Sequence, residues 1–323
     1  MYRIGDVKGI KLHAPKDAYI SYFNSPYFAH SHTSAIDIYP HHQEWGGPVL
    51  SPISGKIVRL QKTTMGRPKE FPTEDNDFGI AIQPEENDDM IVRVLHCKPT
   101  LQEGSTVDLG DMIGTTIRSR YFNYWTGPHY HIEAMKLDSF SRSTQSFSLE
   151  IPFLFQARKS GRLVSETEFV VSVVNDDHII GYPRDFSHSQ IGSYTGLSAI
   201  DEKSNNRGII DGGISHYKHG GVVGHEEATP DSTISLQNHP VGVVQRFVQG
   251  ACFFTRGPSI KSFLDNLELR GFSCFVYPNM YKREGIPPLV LIPREYRGFV
   301  GNISEGDTCI LKLESDNNTV IAE

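Results

Sequence analysis

Thr126-Gly127-Pro128-His129-Tyr130-His131-Ile132-Glu133 sets two imidazoles two residues apart, directly after a Gly-Pro turn signal. On a β-strand, residues i and i+2 project to one face, about 7 Å apart along it, whereas on a helix they diverge. Gly127-Pro128 leads into an extended segment and Ile132 continues its alternation, so a strand is predicted here. One imidazole of such a pair can bind a metal while the other reaches a water on that metal. A His-x-His also arises by chance in a chain with 14 histidines, so the remaining ligands have to be sought elsewhere.

Two upstream segments offer them. His30-Ser31-His32-Thr33-Ser34-Ala35-Ile36-Asp37-Ile38 supplies imidazoles and a carboxylate ahead of an apolar run, and His96 ends the strand-like stretch Ile91-Val92-Arg93-Val94-Leu95. Two histidines and one carboxylate make a three-ligand zinc site whose fourth position is open to water. Zinc lowers the pKa of such a water to roughly 7 and polarises a carbonyl oxygen. Histidines left over can then serve as general base or oxyanion donor. Taken singly, His96 reads as a hydrogen-bonded or surface residue and Asp37 as a turn or cap residue.

In this order the residues resemble the lysostaphin-type zinc endopeptidases (metallopeptidase family 23), many of which cut peptidoglycan cross-bridges. The resemblance extends to two glycine-turn segments. Gly46-Gly47-Pro48-Val49-Leu50-Ser51-Pro52-Ile53-Ser54-Gly55-Lys56-Ile57-Val58 is similar to the family's GxPVxAPxxGxV hairpin. Gln102-Glu103-Gly104-Ser105-Thr106-Val107-Asp108-Leu109-Gly110-Asp111-Met112-Ile113-Gly114 is similar to its VkxGdxVkxGqxIG segment. The match covers roughly residues 25–140. It implies a mainly β fold: an antiparallel, barrel-like catalytic domain of the duplicated hybrid motif type. It also implies zinc on His32, Asp37 and His131, with His129 as general base and His96 at the oxyanion or the water. The substrate expected is a peptide or a peptidoglycan-like polymer, and the activity that of a zinc metallopeptidase.

The chain departs from the family pattern at the first ligand pair. The family spaces this His and Asp four apart with a glycine between, whereas His32 and Asp37 are five apart with Ser34 and Ala35 in that place. Five apart on an extended chain puts the side chains on opposite faces, so convergence calls for a bulge or loop at Thr33–Ala35. His30, seven from Asp37, has the same odd parity. Leu95 also stands before His96, where the family often has an aromatic. Glu133, two beyond His131, is either a partner for an imidazole N–H or a solvent-exposed strand residue.

Two other classes fit parts of the pattern. A non-catalytic metallopeptidase-like scaffold would follow if the His32–Asp37 spacing prevented convergence. The two hairpins also resemble lipoyl or biotinyl carrier barrels, but Lys56 lacks the flanking methionines of such carriers.

Composition narrows the rest. The 323 residues suffice for two domains. A net charge of −7 and the lack of a Lys/Arg-rich run argue against a nucleic-acid surface. No window approaches the roughly 20 apolar residues of a membrane span, and the N-terminus has no apolar core of signal-peptide length. A cytoplasmic location is therefore expected. Cys97, Cys252, Cys274 and Cys309 form no CxxC pair and are expected as reduced thiols, Cys97 packed rather than catalytic.

Along residues 1–140, short apolar runs separated by Gly, Pro and Asp predict a β domain, with Lys69 to Asp77 and Pro84 to Asp89 as solvated hairpin loops. Residues 141–235 read as an irregular Gly/Ser/His-rich connecting region, with one strand inside it at Glu166 to Val174 and little periodicity from Asp176 to about Asp231. In it, His216, His219 and His225 sit among glycines in what reads as a flexible loop, with a lid or second metal site as the alternative. His41-His42 read as an exposed loop that could border the cleft. Residues 236–323 read as a small α+β domain with strands around a helix from Ser259 to Leu269, whose Ile260, Phe263, Leu264 and Leu267 form an apolar stripe.

Overall fold

The computed structural model of the chain describes residues 1–41, 44–141, 143–152, 158–224, 228–248, 250–256 and 260–315. His42, His225 and the expected helix cap Ser259 lie outside them. The chain forms two compact units, one of residues 1–20 and 27–152, the other of 21–26 and 153–323. Among the described residues no helix is long and apolar enough to cross a membrane.

The first unit is built mainly of β-strands, the class expected for residues 1–140. Its main sheet has seven strands in the order Thr106–Val107, Gly55–Thr64, Asn76–Pro84, Met90–Leu95, Tyr130–Lys136, Ala35–Tyr39 and Tyr19–Ser21. The central strands Met90–Leu95 and Ala35–Tyr39 flank Tyr130–Lys136 in antiparallel register. They are buried nearly throughout, as their apolar runs require.

The two glycine-turn segments pair with each other twice. Pro48–Leu50 pairs with Met112–Thr116, and Gly55-Lys56 pairs with Thr106–Val107. Their glycines permit close approach: a Cβ on Gly55 would lie 2.1 Å from the Gln83 carbonyl, and one on Gly114 2.4 Å from that of Lys98.

The second unit corrects four expectations. The described residues between 176 and 224 form strands rather than an irregular connection, with Ile179–Pro183, His188–Ile191, Tyr194–Asp201, Arg207–Ile214 and His219–Val223 in one sheet. Glycine and serine hide the alternation there, because backbone takes the place of side chains at close contacts. A Cβ on Gly221 would strike the Phe23 ring at 2.2 Å, and one on Gly196 the Ile209 Cγ2 at 2.4 Å. The flexible glycine loop is accordingly a hairpin of Arg207–Ile214 and His219–Val223.

The helix expected from Ser259 to Leu269 is also a hairpin, of Ile260–Leu264 and Leu267–Cys274. Ile260, Ser262 and Leu264 are the buried positions of its first strand. Its two-residue turn, Asp265-Asn266, begins with Asp265 at φ 50°. Ile260 and Leu264 satisfy both a helical and a strand period, and the turn chemistry decides for the strand. Among the described residues, the expected α+β domain therefore holds strands and one 3-10 turn, Asn279–Tyr281, with no α-helix, and the strands from Arg158 to Ser315 belong to one sheet system.

That system closes on itself twice. One ring runs Tyr194–Asp201, Arg207–Ile214, His219–Val223, Ala251–Arg256, His239–Val248, Thr233–Leu236 and back. The other runs Glu166–Val174, Ile179–Pro183, Leu289–Pro293, Leu267–Cys274, Ile260–Leu264, Thr308–Ser315 and back. Closure leaves ring strands without open edges. A shared core containing Phe169, Phe186, Phe254, Phe272 and Phe299 fills the unit, each such ring contributing about 1.5–3 kcal/mol by burial.

Candidate metal centre

Asp37 and His131 are directly opposite each other on adjacent antiparallel strands, so their side chains share a face. His131 Nδ1 lies 2.8 Å from Asp37 Oδ1. The third member is His30, not the expected His32. His30 Nε2 is 3.2 Å from Asp37 Oδ1 and 3.0 Å from His131 Nδ1. All three residues are buried.

The chain geometry before Asp37 explains the substitution. Residues Phe28–Ser31 form one helical turn, so the parity rule of an extended segment does not govern them. Thr33 follows in the left-handed region at φ 53°. Its amide bonds to the His30 carbonyl and that of Ser34 to the Ala29 carbonyl, closing a Schellman motif. The turn sends His30 inward. His32 is exposed instead, stacked on Phe28 with ring centroids 3.6 Å apart and its Nδ1 2.9 Å from the Phe28 carbonyl.

The donor set fits a zinc ion. Two imidazole nitrogens and a carboxylate oxygen converge at 2.8–3.2 Å. Four-coordinate zinc with bonds of about 2.0–2.1 Å sets such atoms about 3.3 Å apart, so a shift of a few tenths of an ångström admits it. The other nitrogen of His131, Nε2, is 2.6 Å from Glu133 Oε1, the arrangement usual behind a metal-binding imidazole. Of the two readings of Glu133, the buried partner holds: it is 1% exposed.

His129 and His96 border the cluster. His129 precedes the strand and donates Nδ1–H to the Gly127 carbonyl at 2.9 Å, leaving Nε2 3.8 Å from Asp37 Oδ2. His96 has φ 62°. That left-handed residue breaks the alternation after Leu95 and brings its ring centroid 5.5 Å from that of His129 and 6.2 Å from that of His131. Its Nδ1 donates to Asp77 Oδ2 at 2.7 Å, and Ser119 donates to the same oxygen at 3.0 Å. Phe122 packs edge-on against both rings, and Tyr39 stacks on His129.

The charges are set by burial and partners. Burial alone would raise Asp37, but the charges of His30 and His129 and the hydrogen bonds from His131 and His30 hold it well below the usual carboxylate range. Burial pushes His129 down to about 4, against the pull of Asp37, so its imidazole is neutral at pH 7. For His131 burial acts downward, and hydrogen bonds to Asp37 and Glu133 overcome it, bringing the ring up to about 9. Glu133, which burial would raise, is held at about 2 by His131, Arg93 and Ser146.

Asp77, Arg93 and Ser146 are the members that the sequence did not signal. Asp77 ends an acidic stretch read as solvated, yet it is 7% exposed. Its strand pairs Gly79 with Leu95, which places it beside His96. His41 is exposed, and His216 and His219 belong to the second unit. His216 instead faces Ser273 Oγ at 3.3 Å, and His219 packs on Phe253. Cys97 is buried, and burial pushes its thiol far above the ordinary range, as a packed residue requires.

Residues 12–151 match the family model described as the N-terminal domain of a domain of unknown function, DUF8155. No curated protein matches the chain. Among solved structures, a variant catalytic domain of the prophage-encoded M23 protein EnpA from Enterococcus faecalis is similar at 19% identity and TM-score 0.30, over 42% of this chain and 92% of that one. Lysostaphin, an antimicrobial peptidase from Staphylococcus simulans, is similar at 17% identity and TM-score 0.27, over 59% and 86%. The M23 metalloprotease pseudoalterin, from the deep sea, is similar at 15% identity and TM-score 0.28, over 54% and 88%.

Proposed function

We propose that the first unit is a zinc-dependent hydrolase that cleaves a peptide bond, in the manner of a metalloendopeptidase. The observation that carries this is the buried convergence of His30, Asp37 and His131, with the neutral Nε2 of His129 turned toward it. These three residues would hold the ion, which supplies a Lewis acid able to bring the pKa of a bound water to roughly 7.

The chain's own groups then divide the work. His129, with Nδ1–H fixed on the Gly127 carbonyl, has only Nε2 free to accept a proton from water. His96 is oriented by Asp77, and its ring stands where it can steady the oxygen of a polarised peptide carbonyl. Phe122 and Tyr39 pack around these rings and limit access of bulk water. A peptide substrate, peptidoglycan cross-bridges included, agrees with the resemblance of residues 25–140.

Hydrolysis of a cross-bridge peptide and of a general peptide library, by zinc-loaded and chelator-stripped full-length chain, tests this. Cleavage that depends on zinc is expected. Equal rates in the two preparations, or none with either substrate after zinc loading, would contradict it.

A further inference from the structure

Glu133 is gripped more completely than a supporting carboxylate needs to be. Its Oε1 accepts from His131 Nε2 at 2.6 Å and from Arg93 Nη2 at 2.8 Å, while its Oε2 accepts from Ser146 Oγ. Arg93 is itself buried and anchored on the Phe140 carbonyl, so it cannot swing away. Ser146 is half-buried and comes from outside the sheet, on a segment fastened by the Phe147 amide to the Ala134 carbonyl.

We propose that Glu133, clamped by Arg93 and Ser146, is the positioning residue that turns the Nδ1 lone pair of His131 toward Asp37 and His30. The inference rests on the zinc reading of that cluster. Without metal His131 hydrogen-bonds both carboxylates, and zinc would displace its Nδ1 proton; the neutral imidazole then donates from one nitrogen and offers a lone pair at the other. An ionised Oε1 at hydrogen-bond distance requires N–H at Nε2, since the other tautomer would set two lone pairs against each other. Both Glu133 oxygens are occupied, so the carboxylate cannot rotate to accommodate that tautomer. His131 is thereby prepared as an Nδ1 ligand, with the clamp closed from Ser146.

The test compares zinc dissociation constants of the full-length parent, Glu133→Gln and Ser146→Ala by competition with a chromogenic chelator. Absorption spectra of the cobalt-loaded forms are taken beside them, with far-UV circular dichroism to confirm folding. Glu133→Gln keeps the shape and removes the charge, and should bind zinc about 10- to 100-fold more weakly, with shifted cobalt bands. Ser146→Ala should weaken binding less, because one of the three grips is lost. A folded Glu133→Gln within about threefold of the parent and with an unchanged cobalt spectrum would overturn the inference. Should Glu133→Gln not fold, Ser146→Ala decides: weaker binding supports the clamp, and parent-like affinity removes it. A parent that binds no zinc would defeat the underlying reading itself.

Discussion

Asp37 and His131 face each other across neighbouring strands with Oδ1 2.8 Å from Nδ1, and the tight turn before Asp37 brings His30 onto the same two atoms. That relationship distinguishes two histidines two residues apart. His30 is 0% exposed within the cluster, whereas His32 lies outside on Phe28.

His32→Ala is therefore expected to leave zinc binding and hydrolysis close to the parent's, and His30→Ala to abolish both. Metal analysis and a peptide-cleavage assay on the two variants check this. Loss of zinc from His32→Ala with retention in His30→Ala would reverse the assignment.

His129→Ala removes the group assigned as base without touching the three proposed ligands. Hydrolysis should fall by at least ~10², while zinc content stays that of the parent. Retained activity would hand the proton to another group.

Asp77→Asn keeps a hydrogen-bond acceptor for His96 but removes the charge behind it. A fall in kcat of roughly 10- to 100-fold is expected, as for loss of other carboxylates that orient site imidazoles, with zinc affinity unchanged. A parallel loss of zinc would show Asp77 to be needed for the centre as a whole.

A pH prediction concerns the second unit. Asp201 accepts from the Lys203, Ser204 and Thr229 amides and from the Ser232 hydroxyl. Burial would raise its pKa, but the Ser232 hydroxyl and the Thr229 and Ser204 amides outweigh that and lower it. The carboxylate thus stabilises the fold fully above its unfolded value of about 4, and this contribution is lost as pH falls through the lower folded value. Asp201→Asn should speed amide exchange at 201–206 and 229–236 near pH 7, reflecting a loss of about 1–3 kcal/mol. Thermal melts of the two proteins should draw together below about pH 4. A constant gap down to pH 2 would contradict the linkage.

Much of the first unit was legible because its signals are local. The apolar runs from Gly55 and Ile91 and the His129-Tyr130-His131 alternation each carry a strand period within a few residues. Spacing together with the family resemblance points to Asp37, His96, His129 and His131 as candidates, and the fold brings these four side chains near one another. His30 was passed over because the parity rule presumes an extended chain, and no residue announces the left-handed Thr33 where a glycine is usual. Asp77 and Arg93 meet His96 and Glu133 through strand pairing, which sequence distance conceals. In the second unit, Gly221 and Gly196 read as loop residues although Phe23 and Ile209 occupy the space their side chains would fill.

The zinc content of the full-length chain, purified with zinc and dialysed against metal-free buffer, tests the central claim most directly. One ion per chain, lost in His131→Ala and in His30→Ala but kept in His32→Ala, is the result expected. A metal-free parent, or a zinc content that none of these substitutions changes, would contradict it.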